Sequence, residues 1–287
     1  MNTNSNNTSR GIIALLIAIF TLAPLNNVNA QSSDDEFGVW ATFEASKKIN
    51  KKFKLDFEAE LRTLEGVGNM ERISLGAGAS YKITKWLKAS AGYIFMYKHT
   101  LDEIKYKWED QFEVLGYGTY CDYNIDHAYW TERHRFHVTL TGEYKIGRVE
   151  LSLRERVQYT RTNSATTDET KYRWQQNFDE EYNEIEPTLI EKETESEFKE
   201  AKHNTTLRSR LTAKWDIENC KITPFASVEL YTRLDEWKGF DRLRYRLGAN
   251  YKIDKKNKVS LYYLFQHEND IDKPRTHAIG LGYSIDL

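Results

Sequence analysis

The chain has 287 residues, with 41 Lys+Arg against 43 Asp+Glu, two Cys and four Pro. A net charge of −2 lacks the basic excess of a general nucleic-acid binder, and a mean hydropathy of −0.70 excludes a bundle of membrane-spanning helices. Neither figure excludes a membrane β-barrel, because the apolar and polar faces of its strands cancel in an average.

Residues 1–30 hold one base, Arg10, and no acid. The mostly apolar run Gly11 to Leu25 is followed by Asn26, Asn27, Val28, Asn29 and Ala30. This is the order of a cleavable export signal, and the run is too short to span a bilayer as a helix. The expected organisation is therefore a leader over 1–30 and one barrel domain over 31–287. No Cys follows Ala30, so no lipid attachment is expected there.

From Phe37 onward the apolar residues recur with period two, which argues strands. Eleven such segments lie near 38–49, 53–63, 72–83, 87–99, 131–146, 149–162, 205–217, 222–234, 241–253, 259–268 and 276–287. In 149–162, Val149, Leu151, Leu153, Val157 and Tyr159 share one face, and Glu150, Ser152, Arg154, Arg156 and Gln158 share the other. Glu155 breaks the apolar face, and a bulge or local register change is the expected remedy. Tight turns at Lys51-Lys52, 84–86, Gly147-Arg148, 218–221 and 254–258 alternate with longer connections at 64–71, 100–130, 163–204, 235–240 and 269–275. Within the last but two of these, Thr188–Ala201 is a candidate helix.

Alternation alone also fits a soluble sandwich with its apolar face inward. Aromatic girdle residues decide between the two. Tyr81, Tyr144, Trp215, Tyr251 and Tyr283 each precede an Ile by two positions, just before a short turn or the C-terminus. A membrane interface explains rings at one height in five strands, whereas a soluble core does not. An Arg facing lipid at mid-bilayer costs roughly 2–4 kcal/mol, so the Arg-rich face must line the lumen. The fold expected is an all-β, antiparallel up-and-down transmembrane barrel of 10–12 strands, with short periplasmic turns and long extracellular loops. The preferred count is twelve, because bacterial single-chain barrels have even numbers. The alternative is ten strands over 53–287, with 31–49 threading the lumen or adding a partial strand.

The inward bases of most interest are Arg133, Arg135, Arg154, Arg156, Arg208, Arg210, Arg233, Arg242, Arg244 and Arg246, with His137 and Glu229 beside them. Arg62 and Arg72 join them, against Glu44, Asp56, Glu58, Glu60 and Glu143. Simple hairpin register sets Lys145 opposite Glu150 and Arg210 opposite Glu229. Inward small residues (Ser74, Gly76, Gly78, Ser80, Ser90, Gly92, Ala278, Gly280, Gly282, Ser284) leave room for a plug or for large side chains, Trp40 among them. Such a lumen is either a narrow pore or small-ligand passage that attracts an anionic solute, or an interior filled by salt-bridged side chains. The loop 164–200 has a net charge of −8 and is expected to be a solvated extracellular loop. Its Asp179, Glu180, Glu181, Glu184 and Glu186 lack the glycine spacing of a calcium loop.

No catalytic constellation, metal set or cofactor motif emerges. His137 and Thr139 face inward, and the outward His134 and His277 lie on distant strands with no nucleophile beside them. Cys121 and Cys220 fall at opposite ends of the barrel, which excludes a mutual disulfide. The expected partners are outer-membrane lipid, the barrel-assembly machinery and a small anionic solute. Gly282, Ile285 and Leu287 close the last strand in a pattern similar to the signal that this machinery reads. A structural or adhesive barrel acting through its long loops is the second reading, and a lipid-modifying enzyme the third.

Three stretches carry a family resemblance: Trp130 to Phe136, Gly142 to Arg148, and the Leu153-Arg154-Glu155-Arg156-Val157-Gln158-Tyr159 strand. With Leu207 to Arg210, Pro224 to Glu229 and Arg244 to Gly248, they resemble the domain of unknown function 2490 over most of 37–287. The resemblance implies a small outer-membrane barrel and carries no assigned activity or catalytic residue.

Overall fold

The computed structural model describes residues 35–235, 240–269 and 274–287. The expected leader over 1–30 lies outside the described residues. Fifteen strands follow in order: β1 (Asp35–Lys48), β2 (Phe53–Leu64), β3 (Asn69–Lys82), β4 (Leu87–Thr100), β5 (Glu103–Val114), β6 (Gly118–Asp126), β7 (Tyr129–Ile146), β8 (Val149–Thr162), β9 (Ala165–Phe178), β10 (Glu184–Lys199), β11 (Lys202–Trp215), β12 (Ile222–Arg233), β13 (Phe240–Lys252), β14 (Asn257–Glu268) and β15 (Arg275–Asp286).

Eleven of them close a barrel in the order β1-β15-β14-β13-β12-β11-β8-β7-β4-β3-β2. These are the eleven alternating segments of the sequence. The count lies within ten to twelve but is not the preferred twelve. An odd number of up-and-down strands leaves the first and last running the same way, so one pair must be parallel. That pair is β1 with β15, in register from Asp35↔Arg275 to Ser46↔Asp286. Ser46 Oγ donates to Asp286 Oδ1 at 2.6 Å, Ser284 Oγ to Glu44 Oε2 at 3.1 Å, and the Leu287 amide to the Ser46 carbonyl at 2.7 Å. Residues 35–48 are thus a wall strand and not a lumen thread.

The other four strands form a separate sheet, β10-β9-β6-β5, built from the two long connections. The candidate helix Thr188–Ala201 is a correction, because most of it lies in β10. Its Glu191, Glu193, Glu195 and Glu197 repeat with period two. A helix would set like charges four residues apart on one face, whereas the strand pairs Glu193 with Lys171 and Glu191 with Arg173. Burial raises the Asp126 carboxyl, but hydrogen bonds from Lys105 and Lys199, at 2.7 and 2.6 Å, outweigh it and hold the group below its usual range. In the β9–β10 turn, hydrogen bonds from Asn183 to the Asp179 carboxylate lower its pKa, so that acid serves the turn itself.

The barrel wall is apolar outside and polar inside. Val138 and Leu247 are 61% and 68% exposed on the outer face, while Leu264 and Ala278 inside are fully buried. A soluble sandwich would reverse these values. Tight turns stitch the short-turn end; Gly147, at φ 57°, supplies the left-handed residue of the β7–β8 turn.

Glu155 needs no bulge. The β7–β8 and β8–β11 ladders run through it without a shift, and it meets Leu140 and Ser209. This corrects the expected register change. Its carboxylate faces outward and accepts a 2.6 Å hydrogen bond from Ser209 Oγ. Replacing Glu155 with Leu is therefore expected to stabilise the barrel by ~1 kcal/mol, since an ionisable group leaves the lipid face. Urea titration of the barrel folded in bilayers measures this, and destabilisation would place the carboxylate in a structural role.

Candidate functional site: an arginine-lined lumen

Inward parity on two neighbouring strands produces the central feature. Arg154 and Arg156 of β8 lie directly opposite Arg210 and Arg208 of β11. Four guanidinium groups thus face one another across a single strand pair, where like charges repel. One acid compensates. Glu229 of β12, opposite both Arg210 and Arg244, is 1% exposed. Its Oε1 accepts from Arg208 Nη2 at 3.0 Å and from Arg154, and its Oε2 accepts from Tyr231 Oη at 3.1 Å. Arg244 and Arg246 stand 3.7 and 4.0 Å from Oε2.

Neutral partners take up much of the remaining donor capacity. Arg208 Nη1 donates to Gln158 Oε1 at 3.2 Å, and Arg244 Nη2 to Gln266 Oε1 at 2.6 Å. Arg156 Nε donates to Thr139 at 2.9 Å and Arg135 Nε to Thr160 at 3.1 Å. Among the described residues, Arg135, Arg156 and Arg210 form no ion pair, and Arg210 Nε is buried without a hydrogen-bond partner.

Above this layer, on the long-loop side, aromatic rings and guanidinium groups pack the bore. Arg62 lies 3.5 Å and Arg244 4.9 Å from the Trp40 ring. Arg208, Arg244 and Arg242 surround the Tyr231 ring at 4.6, 5.0 and 5.4 Å. Trp40 packs with Leu264, Ala278 and Tyr262. The small residues of β15 make this packing possible, since a Cβ on Gly280 would lie 2.0 Å from the Tyr262 ring. Trp40, Met96, Leu264 and Glu229 have essentially no accessible surface, unlike residues that border an open water channel. The lumen is therefore filled at this height.

Below the layer, toward the short turns, two cavities of about 370 Å³ each share Glu44, Glu58, Arg154, Arg156, Arg210 and Lys214 in their walls. Arg135, Arg208, Arg244 and Arg246 line the upper one, and His137, packed over Gly92, lines the lower. At the long-loop rim, Arg233 pairs with Asp241 at 3.3 Å and Arg242 with Glu268 at 2.6 Å. Arg133 lies half-buried near that rim, on β7. The twelve lumen residues expected from sequence thus divide between a central group around the cavities and three rim residues, Arg133, Arg233 and Arg242. Lys145 does oppose Glu150, as expected. Sequence reasoning missed Tyr231, Met96 and Leu264 as bore-filling groups; parity with Glu229 would have found the first.

Of the expected girdle, Tyr81, Tyr144, Trp215 and Tyr251 are exposed. Tyr283 departs from it and is 8% exposed. The parallel seam sets Phe43 beside it, with the rings stacked at 5.9 Å, and its hydroxyl donates to Asn257 Oδ1 at 2.6 Å. Both cysteines are free.

No curated protein matches the chain. Among solved structures, it is similar to the beta domain of the Bordetella autotransporter BrkA (TM-score 0.44, 10% identity, 82% of each chain covered). The translocator domain of the autotransporter NalP from Neisseria meningitidis is another (TM-score 0.48, 10% identity, covering 82% of this chain and 80% of that one). The CymD monoaromatic hydrocarbon channel is a third (TM-score 0.38, 8% identity, covering 82% and 84%). The family described as protein of unknown function DUF2490 matches residues 37–277, the stretch that carries the arginine strands, and the chain belongs to that family.

Proposed function

We propose that this protein is an outer-membrane barrel whose lumen binds small, multiply charged anions and is closed at rest. The apolar outer wall and the exposed aromatic rings near the short turns support a membrane setting. In it the short turns face the periplasm, the leader over 1–30 directs export, and the barrel-assembly machinery inserts the chain. The observation that carries the reading is the arginine square. Arg156 and Arg210 line both cavities, and neither has a carboxylate partner among the described residues. A wall that retains unpaired, opposed guanidinium groups in a confined space focuses positive potential on whatever enters. Guanidinium groups also bind phosphate and carboxylate oxygens in a bidentate manner.

Pyrophosphate titrated calorimetrically into the folded barrel in detergent tests this. The wild type is expected to bind it, and the Arg156→Gln/Arg210→Gln variant to lose at least tenfold in affinity, because each hydrogen bond to a charged group contributes ~1.5–3 kcal/mol. The variant relieves repulsion and should fold as well as the wild type. Equal affinity in the two proteins would remove the lumen as the binding site.

A second reading rests on the β5–β6–β9–β10 sheet. Tyr106, Trp108 and Leu115 are exposed on it or in its turn, and Leu115 reaches 88%. Apolar side chains held out in solvent suit a barrel that works by adhesion through its long connections. Deleting 103–126 while sparing the barrel separates the two readings, because pyrophosphate binding would survive and adhesion would not.

A further inference from the structure

The outer face carries a polar feature that the lumen does not explain. At the long-loop end of β8, parity turns Arg161 outward, and the ladders set it opposite His134 of β7 and His203 of β11. The three side chains form a row across three adjacent strands, so it spans ~10 Å at a strand spacing near 4.8 Å. Directly below lie Phe136, Val138, Val157 and Tyr159, all exposed apolar residues of the lipid-facing wall. The row therefore stands where a bilayer passes from acyl chains to headgroups.

Its charge is met by no ion pair among the described residues, and Arg161 is exposed. Glu132, which lines a cleft beside it, accepts a 3.1 Å hydrogen bond from Asn163 Nδ2. His134 uses Nδ1 on the Tyr93 hydroxyl at 2.7 Å, which holds its ring against the wall. The far side of the barrel differs, since the outward His277 of β15 stands 3.6 Å from the Asp35 carboxylate. The unanswered base belongs to one sector.

Just above the row is a cleft of about 600 Å³, lined by Tyr97, Trp130, Glu132, Arg161 and Asn163 and bounded by the first residues of β9. The Trp130 ring is stacked on Tyr97 at 4.6 Å and on His99 at 4.7 Å, a rigid aromatic wall next to a free guanidinium. We propose that Arg161, flanked by His134 and His203, together with this cleft, binds the phosphorylated sugar headgroup of an outer-leaflet lipid. The phosphate sits on the Arg161 fork, the sugar lies against the aromatic wall, and the acyl chains run down over Phe136 and Val138. Charge complementarity selects this occupant, because a guanidinium at a lipid interface is matched by a phosphate oxygen pair. The proposal rests on the outer-membrane reading given above.

The experiment uses the folded full-length barrel in mixed micelles and counts retained lipid by native mass spectrometry. The probes are diphosphorylated lipid A, the same lipid with its phosphates removed, and inorganic phosphate as competitor. One phosphorylated lipid is expected to stay bound to the wild type. Arg161→Gln and removal of the phosphates should each reduce occupancy at least tenfold. Arg148→Gln, at the opposite end of the barrel, should not change it. Equal retention by Arg161→Gln, or of the dephosphorylated lipid, would overturn the proposal; so would full displacement by inorganic phosphate, which would make this a free-anion site. Heat-modifiable gel migration of each variant keeps a folding failure distinct from a binding failure. Absence of that migration in the wild type would sink the membrane reading and this site with it.

Discussion

Glu229→Gln is expected to destabilise the barrel by about 3–5 kcal/mol, the usual cost of leaving buried charges without their partner. The carboxylate at the centre of this network meets Arg154 and Arg208 on one oxygen, and Tyr231, Arg244 and Arg246 on or near the other. Glutamine preserves the volume and one acceptor but removes the only negative charge in contact with these groups among the described residues. The guanidinium groups of β8, β11 and β13 would then repel one another across adjacent strands. The heat-modifiable gel shift and urea midpoint should both fall. Combining it with Arg208→Met should recover part of the loss, because one of the uncompensated charges is removed with it. A variant as stable as wild type would mean that the lumen holds enough water or counter-ion to screen the cluster without Glu229.

Trp40→Ala is expected to convert a silent barrel into a conducting one. Trp40 is 2% exposed and fills the bore between Arg62, Arg244 and the Leu264–Ala278 cluster. Deleting a buried aromatic costs ~3–5 kcal/mol, and here it also connects the cavities to the long-loop end. Planar-bilayer recordings should show few openings in the wild type and discrete steps in the variant. Under a salt gradient the reversal potential should favour anions, because the exposed wall is guanidinium-rich. Trp40→Phe, which keeps a ring in place, should remain mostly closed. If Trp40→Ala stays silent, other side chains of the layer close the bore and Trp40 serves packing alone.

The wall was legible because a strand half in lipid and half in a polar lumen has to alternate. The run Val149 to Tyr159 shows both faces in eleven residues, and the hairpin registers follow from the turns on either side. Lumen membership of Arg154, Arg156, Arg208, Arg210 and Glu229 comes from the same parity. Glu155 was misread because alternation treats a carboxylate on the wrong face as an error, and cannot see a Ser209 hydroxyl 54 residues away in sequence. The segment 188–201 was misread because its charges repeat every second residue without an apolar face to mark the period.

Sequence by itself determined the class of fold, which residues face inward, and the excess of base over acid there. These depend only on the two-residue period of a strand and on the cost of a charge in lipid. Closure was decided in three dimensions. Nothing local in 35–48 or 275–286 says that they pair in parallel, and that pairing is what turns eleven strands into a barrel and buries Tyr283 against Phe43. Whether the lumen is open was likewise decided there. Trp40, Leu264 and the pair Glu229 and Tyr231 come from three strands, β1, β14 and β12, and only the barrel's circumference brings them together to fill it.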